Sequence, residues 1–437
     1  MSSLLDTFLL SSSLSVGSPE NPLTWILVLL ILGVLIGSLY GIIKARSATS
    51  TPNNIATVKA QQSAVFETTF ASEYKDKQSL RSAVQQQQVA DRENCFINFQ
   101  PLTVVHPGFL GPVKDGVYDE KEGVLALLRM GARCFVLPID YHDKDTLPAA
   151  FPPANKPCLL YRDAGDTIRS LNGGSIAKVA QAIADGAWND SVSQRNDPFV
   201  LVLYFVRTPT PNTKAYLDFL SQVAKDLAPL SPYLLGQTPE GVYNRQGRQD
   251  QLLFVTTSTL EKKLLVFCNA DTTGFRTSTK DFNHSYLPKE DLDYWVHLRL
   301  YKQNAQTPLG VTETPEKSGI PRGLVETLSY FTTLPSDART QKSAVDRTKE
   351  RFTIVLSPPG EVPSAQTTKT LLDTYGVQAV ALLLTESTPE VKATLANWKL
   401  AWRAKPKAIR YVRPEPQVIP AQSPKANAQG GKITIPS

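Results

Sequence analysis

Two polar side chains come directly after apolar, strand-like segments, and their types suit anion binding. Arg162 follows CLLY (158–161), and His106 follows LTVV (102–105). An arginine at a strand end can hold a phosphate or a carboxylate through two parallel hydrogen bonds, and it stays protonated at any physiological pH. The alternative interpretation of His106 is a turn histidine whose ring is satisfied by its neighbours.

The cysteines and histidines lack the spacing of a zinc site or of a disulfide framework. The chain has 437 residues with four cysteines and four histidines, and no two cysteines form a CxxC pair. Cys134 and Cys268 lie in apolar runs, where free cysteine behaves as a small buried hydrophobe. No GxGxxG, GxxxxGK[ST] or GxSxG motif is present, so neither nucleotide binding nor serine-hydrolase chemistry is supported.

The charge pattern argues against a nucleic-acid partner. The net charge is +6, and basic and acidic residues are mixed without a block of five or more like charges. A dedicated nucleic-acid surface would concentrate basic residues on one face or in one run. The mild positive charge permits only weak attraction to anionic headgroups near the N-terminal part of the chain.

Strand-like and helix-like segments alternate through most of the chain. Helical patterns cover 120–132, 175–188, 214–230 and 388–402, with Ser175 and Thr388 as predicted N-caps. The alternation predicts an α/β fold, and eight or nine strands fit a closed (β/α)8 barrel of the TIM type; a doubly wound open sheet is the alternative. The strand candidates are 102–105, 133–139, 158–161, 199–206, 252–255, 263–269, 352–356, 377–384 and 408–412.

Residues 24–43, TWILVLLILGVLIGSLYGII, predict one N-terminal transmembrane helix. They contain no charged residue, and 20 residues in a helix reach about 30 Å, the thickness of the hydrocarbon core of a bilayer. Trp25 and Tyr40 lie near the two ends, where amphipathic rings prefer the headgroup level. A cleaved signal peptide and a buried core helix are the alternatives, and the first lacks a positively charged start.

The residues around this span indicate its orientation and a packing surface. Lys44 and Arg46 follow it, and no basic residue precedes it, which places the C-terminal part on the cytoplasmic side. Gly33, Gly37 and Gly41 are spaced four apart and form a stripe that would let a second helix approach closely. Ordinary glycine enrichment in membrane helices explains the stripe equally well.

Composition divides the chain into five regions. The segment 44–65 is rich in Ser, Thr, Ala and Asn and predicts a flexible tether, and 66–92 is polar and Gln-rich. The C-terminal residues contain much Pro, Gln and Ala and few core residues. The predicted regions are an N-terminal head (1–23), the transmembrane helix (24–43), a tether with an exposed polar segment (44–92), the barrel domain (93–413) and an extended Pro-rich tail (414–437).

The order of several motifs resembles the X-domain half of phosphatidylinositol-specific phospholipase C-like phosphodiesterases. The resemblance covers about 95–413 and implies the same (β/α)8 barrel. It implies a general-base histidine at His106 and, in the eukaryotic type, a calcium ion. The segments that carry it are VVHPGFLG (104–111), EGVLALLRMGARCFVLPIDY (122–141), PCLLYRDAG (157–165), SIAKVAQAIADGAW…DPFVLVLYFV (175–206), GVQAVALLLTE (376–386) and WRAKPKAIRYV (402–412).

This sequence departs from that family at most of the positions that carry chemistry. Pro107 stands where the family has a calcium-binding Asn, and Arg162 stands where it has the second catalytic histidine. Arginine does not cycle between acid and base, so this position is lost for proton transfer. Leu137 and Ile139 occupy the acidic-pair positions, with Asp140 out of register. Tyr204 and Phe205 lie near the position of the Glu-Asn ligands.

The departures leave two function classes in competition. One is a catalytically degenerate barrel, an interaction protein without enzyme activity or cofactor, whose mouth retains only ligand binding. The other is a membrane-bound phosphodiesterase acting on phosphoinositide-type headgroups with calcium. Four residues are the vestigial candidates expected to line the mouth: His106, Arg162, Asp163 and Lys405.

Several sequence segments are more similar to membrane-anchored phospholipase C-like proteins of large double-stranded DNA viruses than to cellular enzymes. Examples are LYRDAG…SLNGGSI and EDLDYWVHLRLY. This resemblance implies a minor capsid or inner-membrane protein of the virus particle, with the barrel facing the capsid. The implied partners are the bilayer and other virion, capsid or membrane proteins. The glycine stripe, if it is used, adds a second copy of this chain, through the transmembrane helix.

Overall fold

Eight parallel strands close into a barrel, as the alternation of segments predicts. The computed structural model describes residues 31–38, 52–74, 77–143, 147–211, 213–236, 252–275, 290–301, 322–335 and 337–415. Closure depends on Thr103, which is paired with Cys134 on one side and with Ala381 on the other, so the sheet is not an open one. Around the barrel the strands are β2 (Thr103–Val105), β5 (Cys134–Asp140), β7 (Phe199–Phe205), β8 (Leu264–Cys268), β9 (Leu298–Tyr301), β10 (Gly323–Thr327), β11 (Phe352–Leu356) and β12 (Ala379–Leu383).

Short antiparallel strands lie at the two ends of this barrel. A hairpin of β3 (Phe109–Leu110) and β4 (Val117–Tyr118) follows β2, and β6 (Cys158–Leu159) pairs with the end of β5. At the opposite end, β1 (Phe99–Pro101) pairs with β13 (Trp402–Ala404). The described helices are α1 (31–38), α2 (Pro52–Thr69), α3 (Leu80–Gln86), α4 (Glu122–Arg129), α5 (Ile176–Gly186), α6 (Lys214–Asp226), α7 (Leu292–Trp295), α8 (Leu328–Thr332), α9 (Ala338–Glu350), α10 (Ala365–Lys369) and α11 (Pro389–Leu395).

Successive side chains along each strand point alternately into the barrel and toward the surrounding helices. Val136, Val202 and Ile354 belong to the apolar cluster that fills the interior. Leu137 and Leu203, one position later, belong to the cluster between the strands and the surrounding helices. Both faces are apolar because the helices cover the outside, which explains the continuous apolar runs in the sequence.

Three of the nine strand predictions need correction, and two barrel strands were not predicted. Residues 158–161 contribute only the antiparallel β6, and 252–255 and 408–412 form turns and short helical segments. The unpredicted strands are β9 and β10. They are short, and β10 carries Gly323 and Glu326, which weaken its apolar pattern.

The predicted N-caps are confirmed. The Ser175 hydroxyl accepts a hydrogen bond from Lys178 N at 3.3 Å, and the Thr388 hydroxyl accepts one from Val391 N at 3.3 Å. Each satisfies one of the donors that the first turn of a helix leaves without a partner.

The prediction of a flexible tether at 44–65 is wrong for residues 52–65. They belong to α2, which packs along α4 with a Lys59–Glu120 ion pair of 2.7 Å. Phe66 and Phe70 are buried in the core, at 3% and 0% exposure. The composition of 44–65 does not indicate this packing, because both buried aromatic residues come after the Ser-, Thr- and Ala-rich segment.

Only part of the predicted transmembrane segment is described. Residues 31–38 form α1, on which Gly33 and Gly37 lie and whose large apolar side chains are exposed. Residues 24–30 and 39–43, including Gly41, lie outside the described residues, as do 1–23 and 416–437. Within the described ranges, no helix has both the length and the apolar character to cross a bilayer.

Candidate functional site at the barrel mouth

The carboxyl ends of the barrel strands surround a cavity of about 430 Å³. In a parallel barrel every strand ends on the same face, so residues distant in sequence meet there. Most of the lining is apolar, and none of its described residues is Lys or Arg. The polar side chains of the lining include His106, Tyr161, Tyr204, Glu326 and Ser357.

His106 lies at the end of β2 in a left-handed backbone conformation, with φ of 54°. Its Nδ1 is 2.7 Å from the Tyr118 hydroxyl, and its ring meets the Tyr161 ring edge-on at 5.0 Å. Although solvent reaches part of the residue, this enclosure by aromatic rings buries the imidazole and lowers its pKa to about 3. The ring is therefore neutral at physiological pH, and among the described residues only Nδ1 has a partner.

Two hydroxyl groups of the cavity lining are buried without a well-formed hydrogen bond among the described residues. They are Ser357 Oγ and Tyr161 Oη, and only the second has a backbone donor nearby, the Gly360 N–H. Burial raises the pKa of Tyr161 to about 12, so its hydroxyl keeps its proton. Unpaired buried hydroxyls are rare because each one costs free energy, and a ligand with its own polar groups would satisfy them.

Next to the cavity, a carboxylate is held between two arginines. Asp140, at the end of β5, is 2.5 Å from Arg162 Nε through Oδ2 and 2.7 Å from Arg207 Nε through Oδ1. Both guanidinium groups also donate to the carbonyl oxygen of Tyr141. Both oxygens of this buried carboxylate are therefore occupied. The exposed Asp166, 3.6 Å from Arg162 Nε, brings the formal charge of the group to zero.

The calcium ion that the phospholipase C-like fold implies does not fit these residues. Pro107, Leu137 and Ile139 supply no side-chain oxygen, and the two guanidinium groups take the place of a cation at Asp140. Among the described residues, no group of three His, Cys, Asp or Glu side chains could hold a metal. The register also differs from the sequence-based expectation. Leu137 and Ile139 face the helices. Asp140, one position later, is on the face of the strand that points into the barrel.

The other predicted site residues lie elsewhere. Asp163 closes the turn after Arg162 by accepting hydrogen bonds from Thr167 N and Gly165 N, and these bonds, led by that from Thr167, lower its pKa. It also pairs with Arg169 at 2.5 Å. Lys405 lies at the opposite end of the barrel, where its buried Nζ donates to Thr348 O at 2.7 Å. Of the four candidates, only His106 lines the cavity, and Arg162 stands beside it.

Sequence reasoning missed several residues that shape this mouth. Arg207 directly follows the strand 199–206, just as Arg162 follows an apolar segment, so the same strand-end rule would have found it. Ser357 follows the predicted strand 352–356 in the same way. Glu326 could not be found, because its strand was not predicted.

A second cavity, of about 440 Å³, lies at the opposite end of the barrel and contains a buried acid. Asp197 is 4% exposed, and both its oxygens accept the Leu80 N–H, at 2.9 and 3.0 Å. Burial raises the pKa of Asp197 to about 7, although the buried Arg133 opposes this shift. The polar lining and the open shape make this a groove without a specific chemistry.

This acid predicts a fall in stability with rising pH. The folded chain keeps the Asp197 proton between about pH 4 and pH 7 while the unfolded chain loses it, so the free energy of unfolding decreases there by about 1.4 kcal/mol per pH unit. Asp197→Asn retains an acceptor for Leu80 and cannot titrate. We expect the melting temperature of the variant, relative to the wild type, to rise between pH 4.5 and pH 7.5. An unchanged difference at the two pH values would contradict the assignment.

Comparisons with protein-family models and with curated proteins find no match for this chain. Comparison with solved structures finds phospholipases C. The PLC21 of L. pealei aligns with a TM-score of 0.50 and 13% identity, covering 74% of this chain and 38% of its own. The calcium-dependent phosphoinositol-specific enzyme of Pseudomonas sp. aligns at 0.40 and 11%, covering 72% and 98%. The phosphatidylinositol-specific enzyme of Streptomyces antibioticus aligns at 0.38 and 10%, covering 71% and 99%.

At these identities the likeness concerns the fold alone. This chain matches only 38% of the length of the L. pealei protein. The comparisons carry no support for the viral branch that the sequence resemblance indicated. The closed barrel of this chain is similar in fold to the PLC21 of L. pealei.

Proposed function

We propose that this chain is a membrane-anchored interaction protein whose phospholipase C-like barrel does not hydrolyse phosphodiesters. The observation that carries the proposal is the Arg162–Asp140–Arg207 cluster, in which two guanidinium groups occupy the acid at the end of β5. Hydrolysis by the chemistry that the sequence resemblance implies needs a second acid–base group besides the first histidine. Arg162, at that sequence position, is permanently charged and already bound to Asp140.

The remaining described histidines do not replace that group. His142 Nε2 is 2.6 Å from the Pro152 carbonyl oxygen, and the side chain is not part of the cavity lining. His297 is fully buried between Val266 N and Leu235 O. His106 is therefore the only described histidine that faces the cavity, and a single neutral imidazole supports ligand binding better than a two-step proton transfer.

The cavity itself favours a ligand without a strong negative charge. Its described lining offers hydroxyl groups, a neutral imidazole and the carboxylates of Glu326 and Glu361, while Arg162 and Arg207 are outside it and bound to Asp140. This argues against the phosphate binding expected from Arg162.

Several parts of the proposal depend on the sequence alone. They are the single span at 24–43 with the barrel on the cytoplasmic side, self-association through Gly33, Gly37 and Gly41, the absence of a cofactor and of a nucleic-acid partner, and a place in the inner membrane of a large DNA virus particle, in contact with other virion, capsid or membrane proteins.

The second candidate function is a membrane-bound phosphodiesterase acting on phosphoinositide-type headgroups. The position of His106 favours it, because the ring stands at the end of the first barrel strand with one nitrogen left for a ligand. The activity of the solved enzymes with this fold points the same way.

Hydrolysis of phosphatidylinositol decides between the two candidates. The purified full chain, in mixed micelles with and without calcium, is expected to release no more product than its His106→Ala variant. A calcium-dependent phosphatidylinositol-specific phospholipase C under the same conditions shows that the assay works, and His142→Ala controls for the loss of a histidine outside the cavity. Turnover that His106→Ala abolishes and His142→Ala preserves would establish the phosphodiesterase instead.

A further inference from the structure

Helix α2 fixes the end of the barrel from which the N-terminal part of the chain arrives. Asp119 and Glu120 precede α4 at the mouth end, and Arg129 is the last residue of α4. The polar contacts of α2 with these residues follow that order, so α2 runs from the mouth end toward the opposite end, parallel to α4. The contacts are Lys59 with Glu120 at 2.7 Å, Ser63 with Asp119 at 2.5 Å and Glu67 with Arg129 at 2.6 Å.

Contacts with other elements give the same direction. A Cβ added at Gly111, in the β3–β4 hairpin of the mouth, would lie 3.1 Å from the Gln62 side chain. Beyond the helix, Lys77 donates to the carbonyl oxygen of Trp398 and packs against Gly131, both at the opposite end. The first turns of α2 therefore belong to the mouth end of the barrel.

We propose that the mouth end of the barrel faces the bilayer that the chain itself crosses, and that the surface around the mouth contacts lipid. This rests on the membrane-anchor part of the proposed function. Only the eight residues 44–51 separate the predicted span from α2, and fully extended they reach at most roughly 29 Å. The opposite end of the barrel is farther away by at least the length of β5, about 23 Å.

The segments around the mouth have a chemistry that suits a lipid surface. Pro112 and Lys114 are exposed in the β3–β4 hairpin, and Pro358 and Pro359 are exposed in the loop after β11. Proline has no backbone N–H to desolvate and presents an apolar ring. Lys114 and the neighbouring Asp115 are both exposed and cancel each other's charge, so the lipid contact depends on the proline rings.

Energy transfer from two ends of the barrel to labelled lipid tests this orientation. All four native cysteines are buried, so a single introduced cysteine takes the donor dye selectively. Lys114→Cys places the dye at the mouth end. Lys407→Cys places it at the opposite end, where residues 407–409 pack near Gly376 ahead of β12. The full chain is reconstituted in phosphatidylcholine vesicles that contain a rhodamine-labelled lipid.

We expect several-fold stronger energy transfer from position 114 than from position 407. Both substitutions are at exposed positions, and equal melting temperatures would verify that neither perturbs the fold. Equal transfer, or stronger transfer from position 407, overturns the orientation and leaves the anchor intact. If the vesicles float without the protein, the predicted span does not anchor the chain, and the orientation proposal fails as well.

Discussion

Asp140→Ala is expected to destabilise the protein by about 3–5 kcal/mol, because it removes the buried carboxylate that two guanidinium groups share and leaves only the exposed Asp166 beside them. The Asp140 side chain is only 2% exposed, so water does not replace the lost carboxylate. Denaturant unfolding of the full chain measures the change. Asp190→Ala is the matched control, since that side chain is 95% exposed and pairs with Arg195 at 3.5 Å. It should leave the unfolding curve unchanged.

A double variant separates the charge imbalance from the loss of contacts. Adding Arg207→Met to Asp140→Ala removes one of the two positive charges that repel each other, and part of the lost stability should return. If Asp140→Ala unfolds at the wild-type denaturant concentration, the cluster does not hold the barrel mouth together. The two guanidinium groups would then not fill the place of a cation at Asp140.

Phe70→Ala is expected to cost about 3–5 kcal/mol, the usual range for truncating a fully buried aromatic side chain. The Phe70 ring packs edge-on against Phe66 at 5.0 Å and against Tyr74 at 5.6 Å. Its loss should loosen α2 and expose residues 52–69 to proteolysis. Val65→Ala, on α2 at a position 55% exposed, is the matched control and should change little.

Thermal unfolding and limited proteolysis of the two variants give the answer. A flexible tether at 52–65 would make both substitutions nearly silent. If Phe70→Ala behaves like Val65→Ala, the docking of α2 on the barrel is wrong. The membrane orientation inferred from the direction of α2 would then also fail.

The predicted strands show where the sequence was sufficient. Strands β5, β7, β8, β11 and β12 are runs of apolar residues because both of their faces are buried, and such runs can be recognised locally. Strand β9 is shorter, and β10 contains a glycine and a glutamate. Pairing with the neighbouring strands stabilises them more than their own residue types do. The segment 252–255 is equally apolar, yet it packs as a turn, so local hydrophobicity alone overpredicts strands.

The candidate site shows where the sequence was insufficient. The side chains that reach the mouth depend on the register of each strand, and a shift of one residue exchanges Leu137 and Ile139 for Pro138 and Asp140. Lys405 looked equivalent to Arg162 in sequence, but its distance from the mouth follows from the path of the last segment beneath the barrel.

By itself, the sequence determined the barrel class, the helix caps and the burial of the cysteines, because these depend on residue type and short-range pattern. Only the tertiary structure decided that Asp140 is shared by Arg162 and Arg207. The three residues come from separate segments, and their interaction depends on strand ends that meet only when the barrel closes. The docking of α2 was decided in the same way, since Phe66 and Phe70 are buried only because this segment packs on α4 and the core beneath it.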